Sequence, residues 1–128
     1  MTKERENVPE EIVQYYVVNE ELPMSPGKLA AQTAHAATVT AIDMLRGDAS
    51  RFPAPEFLQW FAEWYRSGMK KIVLKGPAGT LQKLADQGFY PIVDGGLTEV
   101  PAGSLTVVGL PPLPRSKARA YVQGLPLY

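Results

Sequence analysis

Three polar side chains recur at helical spacing in residues 24–37, MSPGKLAAQTAHAA. Lys28, Gln32 and His35 stand at i, i+4 and i+7, so a helix would place them on one face. A lysine at a helix N-terminus opposes the helix dipole by roughly 0.3–1 kcal/mol, which makes it an unexpected structural residue there. An ammonium group can stabilise a developing negative charge. The alternative is that Gln32 is an ordinary helix residue and His35 a structural histidine.

A second group of chemically useful residues follows a short apolar strand near residue 93. Asp94 closes the strand, Gly95 and Gly96 follow it, and Thr98 lies four residues on. Together with Lys28, these side chains could form a hydrolytic group: a carboxylate as base or orienter, a hydroxyl as nucleophile or water holder, and an ammonium as charge stabiliser. The alternative is a local turn in which the Asp94 carboxylate binds nearby backbone N–H groups.

The strands and helices predicted from the sequence must position these residues. They indicate a single α/β domain over residues 1–128, with 1–10 as a flexible arm. Strands are predicted at 12–18, 70–75, 90–93 and 105–110, and helices at 26–45, 56–66, 80–87 and 115–121. The link between the last two strands is too short for a helical crossover, which predicts a mixed sheet. We therefore expect a three-layer fold, a four-stranded mixed sheet flanked by helices. The proline-rich segment 111–114 is not expected to continue a ladder.

Two apolar helix faces are expected to pack into the core. The first is the alanine-rich side of the helix at 26–45, which should lie close against the sheet. The second is an aromatic stripe in the helix at 56–66. Their residues are Ala30, Ala31, Ala34 and Ala37 in the first, and Phe57, Trp60, Phe61 and Trp64 in the second.

Composition excludes several kinds of site. The chain has no cysteine, which excludes disulfides, thiolate metal sites and cysteine nucleophiles, and its one histidine excludes a histidine-rich zinc site. No apolar run approaches the ~18 residues that a membrane span needs. The charged first residues lack the apolar core of a signal peptide, so we expect a cytoplasmic protein.

Charge is balanced overall but not along the chain. Thirteen basic residues match thirteen acidic ones, which argues against a strong nonspecific nucleic-acid binder. The second half of the chain is nevertheless predominantly basic, and folding could gather its positive side chains on one surface. They are Arg66, Lys70, Lys71, Lys75, Lys83, Arg115, Lys117 and Arg119. The alternative is ordinary solvated surface charge.

Four segments together resemble the peptidyl-tRNA hydrolase family of the archaeal and eukaryotic type (type 2). They are 24–37, KKIVLK at 70–75, IVDGGLTEVPAGSLTVVGLPP at 92–112, and the terminal LPLY. The likeness covers roughly residues 12–128, with the pieces in the family's order. It implies a four-stranded mixed sheet and cleavage of the ester between peptide and tRNA, which releases tRNA for reuse in translation. It also implies tRNA as partner, a homodimer, no membrane association, and neither metal nor organic cofactor.

The resemblance also assigns site residues. It implies a catalytic role for Lys28, Asp94 and Thr98, and substrate binding for Gly27, Gln32, His35 and Thr106. The chain departs from the family's common pattern at Pro26, Leu97 and Glu99, where basic, arginine and glutamine residues are usual. The predicted catalytic residues are therefore kept, while residues next to them differ from the family's pattern. This leaves two alternatives: a weak or inactive binding module on the same fold, or a hydrolase of another small ester or amide.

Overall fold

A mixed sheet flanked by helices forms the molecule. The computed structural model describes residues 10–96 and 99–128, and the bounds that follow are those of this part of the chain. The strands are β1 (Ile12–Asn19), β2 (Lys71–Gly76), β3 (Tyr90–Val93), β4 (Leu105–Gly109) and β5 (Leu113–Pro114). The α-helices are α1 (Pro26–Met44), α2 (Pro55–Arg66), α3 (Ala78–Asp86) and α4 (Arg115–Val122). Within the described residues, no helix combines the length and the apolarity that crossing a membrane requires.

The strand β1 lies at the centre of the sheet, whose main strand order is β2-β1-β4-β3. β1 runs parallel to β2 and antiparallel to β4, and β3 and β4 are antiparallel. The predicted mixed sheet is therefore confirmed. All eight residues of β1 are buried, as expected for a strand covered on both faces.

A fifth strand, β5, departs from the predicted four-stranded sheet. Leu113 and Pro114 pair with Val13 and Ile12 at the start of β1, so the expectation that segment 111–114 leaves the ladder is wrong at its end. Proline has no N–H to donate, but it is tolerated where a strand pairs on one side only. The strand is only two residues long and leads directly into α4.

The C-terminal residues extend the sheet on its other side, beside β2. The Lys75 N–H donates to the Pro126 carbonyl and the Tyr128 N–H donates to the Val73 carbonyl, each over 3.0 Å. Leu127 forms an antiparallel bridge with Leu74 between these bonds. The terminal LPLY motif therefore pairs with backbone groups of β2 that would otherwise face solvent.

Two apolar clusters, one on each face of the sheet, confirm the three-layer arrangement. The cluster under α1 contains Tyr16, Val18, Ala36, Ile92 and Val107. The larger cluster on the opposite face includes Leu81 and Leu84 of α3 and Ala118 and Val122 of α4. The predicted aromatic stripe of α2 is buried at Trp64, while Phe57 and Trp60 are half-buried against the larger cluster.

The orientation of α1 differs from the prediction. Ala30, Ala31 and Ala34 are exposed, whereas Gln32 and Ala36 are buried against the sheet. A polar residue can face the sheet here because both the nitrogen and the oxygen of its amide are hydrogen-bonded, which offsets the cost of burial. The close approach instead comes from Ala36 and Gly109 of β4, where an added Cβ would lie 3.3 Å from the alanine methyl group.

Candidate active site

The first half of the site is the start of α1, which begins as the sequence predicts. The Ser25 hydroxyl accepts a hydrogen bond from the Lys28 N–H over 3.2 Å, and Pro26 occupies the first helical position. Gly27 is exposed, and a Cβ added there would meet nothing within 4 Å. The surface at the helix start is therefore open to a ligand.

The second half is a loop that follows β3 and returns to β4. Its register against β4 shifts between Ile92 and Val93, an irregularity of the kind that re-aims side chains beside functional sites. The Asp94 N–H donates to the Ser104 carbonyl, and the Gly103 N–H donates to the Asp94 carbonyl, each over 2.9 Å. These two bonds close the base of the loop with Asp94 at its corner.

Lys28 and Asp94 meet in space, although 66 residues separate them. The Lys28 Nζ lies 2.6 Å from Asp94 Oδ1, and the two side chains are only 12% and 7% exposed. The Gln32 Nε2 donates to the same oxygen over 3.2 Å, while the Gly96 N–H donates to Oδ2 over 2.7 Å. Asp94 therefore forms the local turn and also pairs with the distant lysine, while its part in hydrolysis stays a prediction.

Thr106 fixes the amide of Gln32 from the buried side. Its hydroxyl lies 2.6 Å from Gln32 Oε1 and 3.2 Å from the Ile92 carbonyl. Because an ionised carboxylate only accepts hydrogen bonds, the Gln32 amide must turn its NH₂ group toward Asp94 and its oxygen toward Thr106. Thr106 must then donate to Gln32, so the three side chains form a directed series from core to surface.

The environment of Asp94 favours its charged form. The Lys28 ammonium, which donates to it, is the main reason that the pKa of Asp94 lies below its ordinary value, and the Gly96 N–H adds to this. The charge of His35 acts in the same direction, whereas partial burial opposes it. His35 itself is exposed on α1. Asp94 is therefore an ion at neutral pH, surrounded by donors.

Thr98 and Leu97 lie outside the described residues, so the catalytic role of Thr98 stays a prediction. The structure adds a contact between this loop and α1 that sequence reasoning missed. Glu99 accepts hydrogen bonds from the Ser25 N–H over 2.8 Å and from the Ser25 hydroxyl over 2.6 Å. The partners are 74 residues apart, and the only sequence signal was that Glu99 departs from the family's common pattern.

Three basic residues of the second half of the chain, Lys70, Arg115 and Arg119, line one cleft. Lys70 and Arg115 both pair with Glu11, over 3.2 and 2.9 Å, and Arg119 lines the same cleft. Lys71 lies over the Trp64 ring instead, so the basic residues do not all serve one surface.

Comparison with known proteins identifies the family of the chain. The model of the family described as peptidyl-tRNA hydrolase PTH2 matches residues 12–128. A peptidyl-tRNA hydrolase of Staphylothermus marinus is 37% identical over 114 residues, which cover 84% of this chain and 87% of the relative. Relatives of the same name from Saccharolobus islandicus and Thermococcus onnurineus are each 32% identical, over 78% and 79% of this chain and 85% and 84% of their own lengths. The chain therefore belongs to the PTH2 family of peptidyl-tRNA hydrolases.

Proposed function

We propose that this protein hydrolyses the ester bond of peptidyl-tRNA, or of an N-blocked aminoacyl-tRNA, and so returns tRNA to translation in the cytoplasm. The observation that carries the proposal is the contact of Lys28 and Gln32 with Asp94 at the open start of α1. Family membership supports the same reaction. The scissile bond joins the acyl carbonyl carbon to a ribose oxygen at the 3′ end of the tRNA.

Lys28 is the proposed stabiliser of the transition state. Attack by water on the ester carbonyl places a negative charge on the carbonyl oxygen, and a fixed ammonium group in a partly buried site opposes that charge most effectively. Asp94 fixes the ammonium through the 2.6 Å contact, so little reorganisation is needed during the reaction. The lysine therefore serves the reaction through its charge, and the aspartate through holding it.

Asp94 is the proposed orienter of the attacking water. A general base works best when its pKa lies near the working pH, yet the donors around Asp94 lower the pKa of this carboxyl below its ordinary value. These surroundings favour an orienting role over full removal of a proton. Water held on the carboxylate can attack the ester carbon, the bond from that carbon to the ribose oxygen breaks, and the released proton neutralises the leaving oxygen.

The remaining family positions have supporting roles in this proposal. Gln32 and Thr106 orient Asp94 from the buried side, and exposed His35 contacts the substrate from the same helix. Gly27 allows close approach of the substrate at the helix start, because no side chain blocks that surface. Thr98 supplies a hydroxyl to the same reaction by its place in the family motif.

The proposal is tested by following release of the acyl group from N-acetyl-aminoacyl-tRNA. We expect the wild-type protein to hydrolyse this ester, and Lys28→Ala to lower the rate by about 10²–10³, the size of losing one transition-state donor. Lys83→Ala, which changes an exposed lysine of α3, is the matched control and should keep the wild-type rate. Wild-type turnover in the Lys28 variant, or hydrolysis of simple esters with none of the tRNA ester, would contradict the proposal.

The homodimer implied by the family is proposed to form over the exposed side of α1. An open groove of about 740 Å³ runs between the alanines of α1 and the C-terminal Leu127 and Tyr128. Ile42 and Leu45, 61% and 71% exposed, continue this apolar surface along the helix. Contiguous exposed apolar surface of this kind marks interaction sites, and a second copy presenting the same face would cover it symmetrically.

Sedimentation at micromolar concentration tests the dimer. We expect a dimer for the wild type and a monomer for Ile42→Glu, because a charge would be buried at the interface. Leu58→Glu, at an apolar position of α2 that is 46% exposed, is the control and should stay dimeric. A monomeric wild-type protein, or a dimeric Ile42→Glu variant, would contradict this assignment.

A further inference from the structure

We propose that Glu99 is a positioning residue for the reaction: through Ser25 it holds the Asp94 loop against α1 and keeps the Gly96 N–H on the Asp94 carboxylate. The inference rests on the proposed role of Asp94. It concerns a residue at which this chain differs from the family's common pattern.

The Glu99 carboxylate joins the loop to the helix by two hydrogen bonds to one residue. Its two oxygens accept from the N–H and the hydroxyl of Ser25, over 2.8 and 2.6 Å. The Ser25 hydroxyl also accepts from the Lys28 N–H, so it caps the helix that carries the active lysine. A single serine therefore links the loop, the start of α1 and the backbone of Lys28.

The described residues on either side of positions 97 and 98 are held in place. Its base is closed by the two backbone bonds of Asp94 with Ser104 and Gly103. Gly96, with a φ of 78°, packs so closely that an added Cβ would lie 2.5 Å from backbone atoms of Ala102. Val100, next to Glu99, is only 4% exposed. With Asp94 fixed at the base, Gly96 packed on Ala102 and Val100 buried, we expect a displacement of Glu99 to displace the Gly96 N–H as well.

The backbone of Glu99 carries strain that its contacts with Ser25 can maintain. Its φ is 37°, in the left-handed region that residues with a Cβ seldom adopt. Such a conformation persists where surrounding bonds hold it in place, often beside functional sites. The two charge-assisted bonds to Ser25 are contacts of the required strength.

Charged groups lie near the contact of Glu99 with Ser25, which we call the clamp, and they lower the pKa of both carboxyl groups beside it. Hydrogen bonds from Ser25 are the main reason that the pKa of Glu99 lies below its ordinary value, with the Lys28 charge adding to them. Lys28 and His35 on α1, with Gly96 on the loop, are the groups that lower the pKa of Asp94. Loss of the clamp should remove the contribution of Gly96 while leaving those of Lys28 and His35.

The chain supplies a matched control for this contact. Glu10 accepts from the N–H and the hydroxyl of Ser116 over 2.5 and 2.9 Å, at the start of α4 and the opposite end of β1. A two-bond contact of the same kind therefore exists far from the site. Glu10→Ala removes an equivalent contact without touching Asp94.

We expect Glu99→Ala to lower kcat about tenfold with KM within about twofold, since a displaced catalytic group costs rate more than ground-state binding. The acid limb of its pH–rate profile should move to higher pH, toward the ordinary carboxyl range. Glu99→Gln, which keeps an acceptor for the Ser25 N–H, should regain most of the rate. Glu10→Ala should match the wild type in kcat and in the acid limb.

A readout independent of activity separates this inference from the proposed function. NMR titration of the Asp94 side-chain carboxyl should give a higher pKa in Glu99→Ala than in the wild type, and amide exchange at Gly96 should be faster by about tenfold. These shifts would support the clamp even in a protein that left tRNA esters intact. An unchanged Asp94 titration in Glu99→Ala, or an equal change in Glu10→Ala, would overturn the inference.

Discussion

Replacement of Thr106 by valine tests the directed series of hydrogen bonds from the core to Asp94. Valine has nearly the shape of threonine, but it cannot donate to Gln32 Oε1, which lies 2.6 Å from the hydroxyl. Thr106 is fully buried and Gln32 is 4% exposed, so water does not readily replace the lost donor. The Gln32 amide then loses the bond that turns its NH₂ group toward Asp94.

The expected loss of stability follows from the burial of Gln32 Oε1. A buried acceptor left without a partner costs about 1–3 kcal/mol. For a domain of this size, we expect the melting temperature to fall by about 4 °C for each kcal/mol, that is by about 4–12 °C. Because the Gln32 amide no longer holds Asp94, kcat should fall about tenfold while the protein remains folded.

Thr106→Ser separates the two effects. Serine keeps the hydroxyl but removes a buried methyl group, which costs about 1 kcal/mol of stability. We therefore expect Thr106→Ser to melt below the wild type and yet to hydrolyse N-acetyl-aminoacyl-tRNA at close to the wild-type rate. Thermal unfolding and single-turnover hydrolysis, measured on the same preparations, give both quantities. Equal rates for the valine and serine variants would refute the directed series.

Three further predictions concern the same site. Lys28→Met should move the acid limb of the pH–rate profile to higher pH. The Lys28 ammonium is the main reason that the pKa of Asp94 is lowered, so without it Asp94 takes up its proton at a higher pH as the solution is acidified. Gly96→Ala should lower the melting temperature and the hydrolysis rate, because the added Cβ would meet Ala102 and the φ of Gly96 is 78°. Gly95→Ala is the control: its Cβ would meet nothing within 4 Å, so the melting temperature and the rate should stay unchanged. Binding of tRNA should weaken as salt rises, by roughly one power of concentration per phosphate contact, in a filter or fluorescence titration.

Local patterns were enough to predict most of the fold. The strand at 12–18, the helix start at Pro26 and the antiparallel pairing across the short link between β3 and β4 were each predicted, and all three are confirmed. The fifth strand was missed because proline argues against a ladder, and its pairing depends on where β1 begins.

The site was predicted less completely, for physical reasons. Helical spacing placed Lys28 and Gln32 on one face, but not which face meets the sheet, because small alanines suit both a packed and an exposed surface. The structure decides this through Thr106, whose buried hydroxyl satisfies the Gln32 oxygen. The Ser25–Glu99 contact joins residues 74 apart, and nothing local to either residue encodes it.

We propose that Asp94, held by donors on both oxygens, organises hydrolysis of a tRNA-linked ester. The most direct test is single-turnover hydrolysis of N-acetyl-aminoacyl-tRNA by Asp94→Asn, beside Asp86→Asn as a control at an exposed aspartate of α3. Asparagine has no charge to attract the Lys28 ammonium, and in either orientation its NH₂ group faces a donor, on one side Lys28 and Gln32 and on the other the Gly96 N–H. We predict a rate about 10²–10³ below wild type for Asp94→Asn and a wild-type rate for Asp86→Asn. A folded Asp94→Asn protein within a few-fold of the wild-type rate would contradict this role of Asp94.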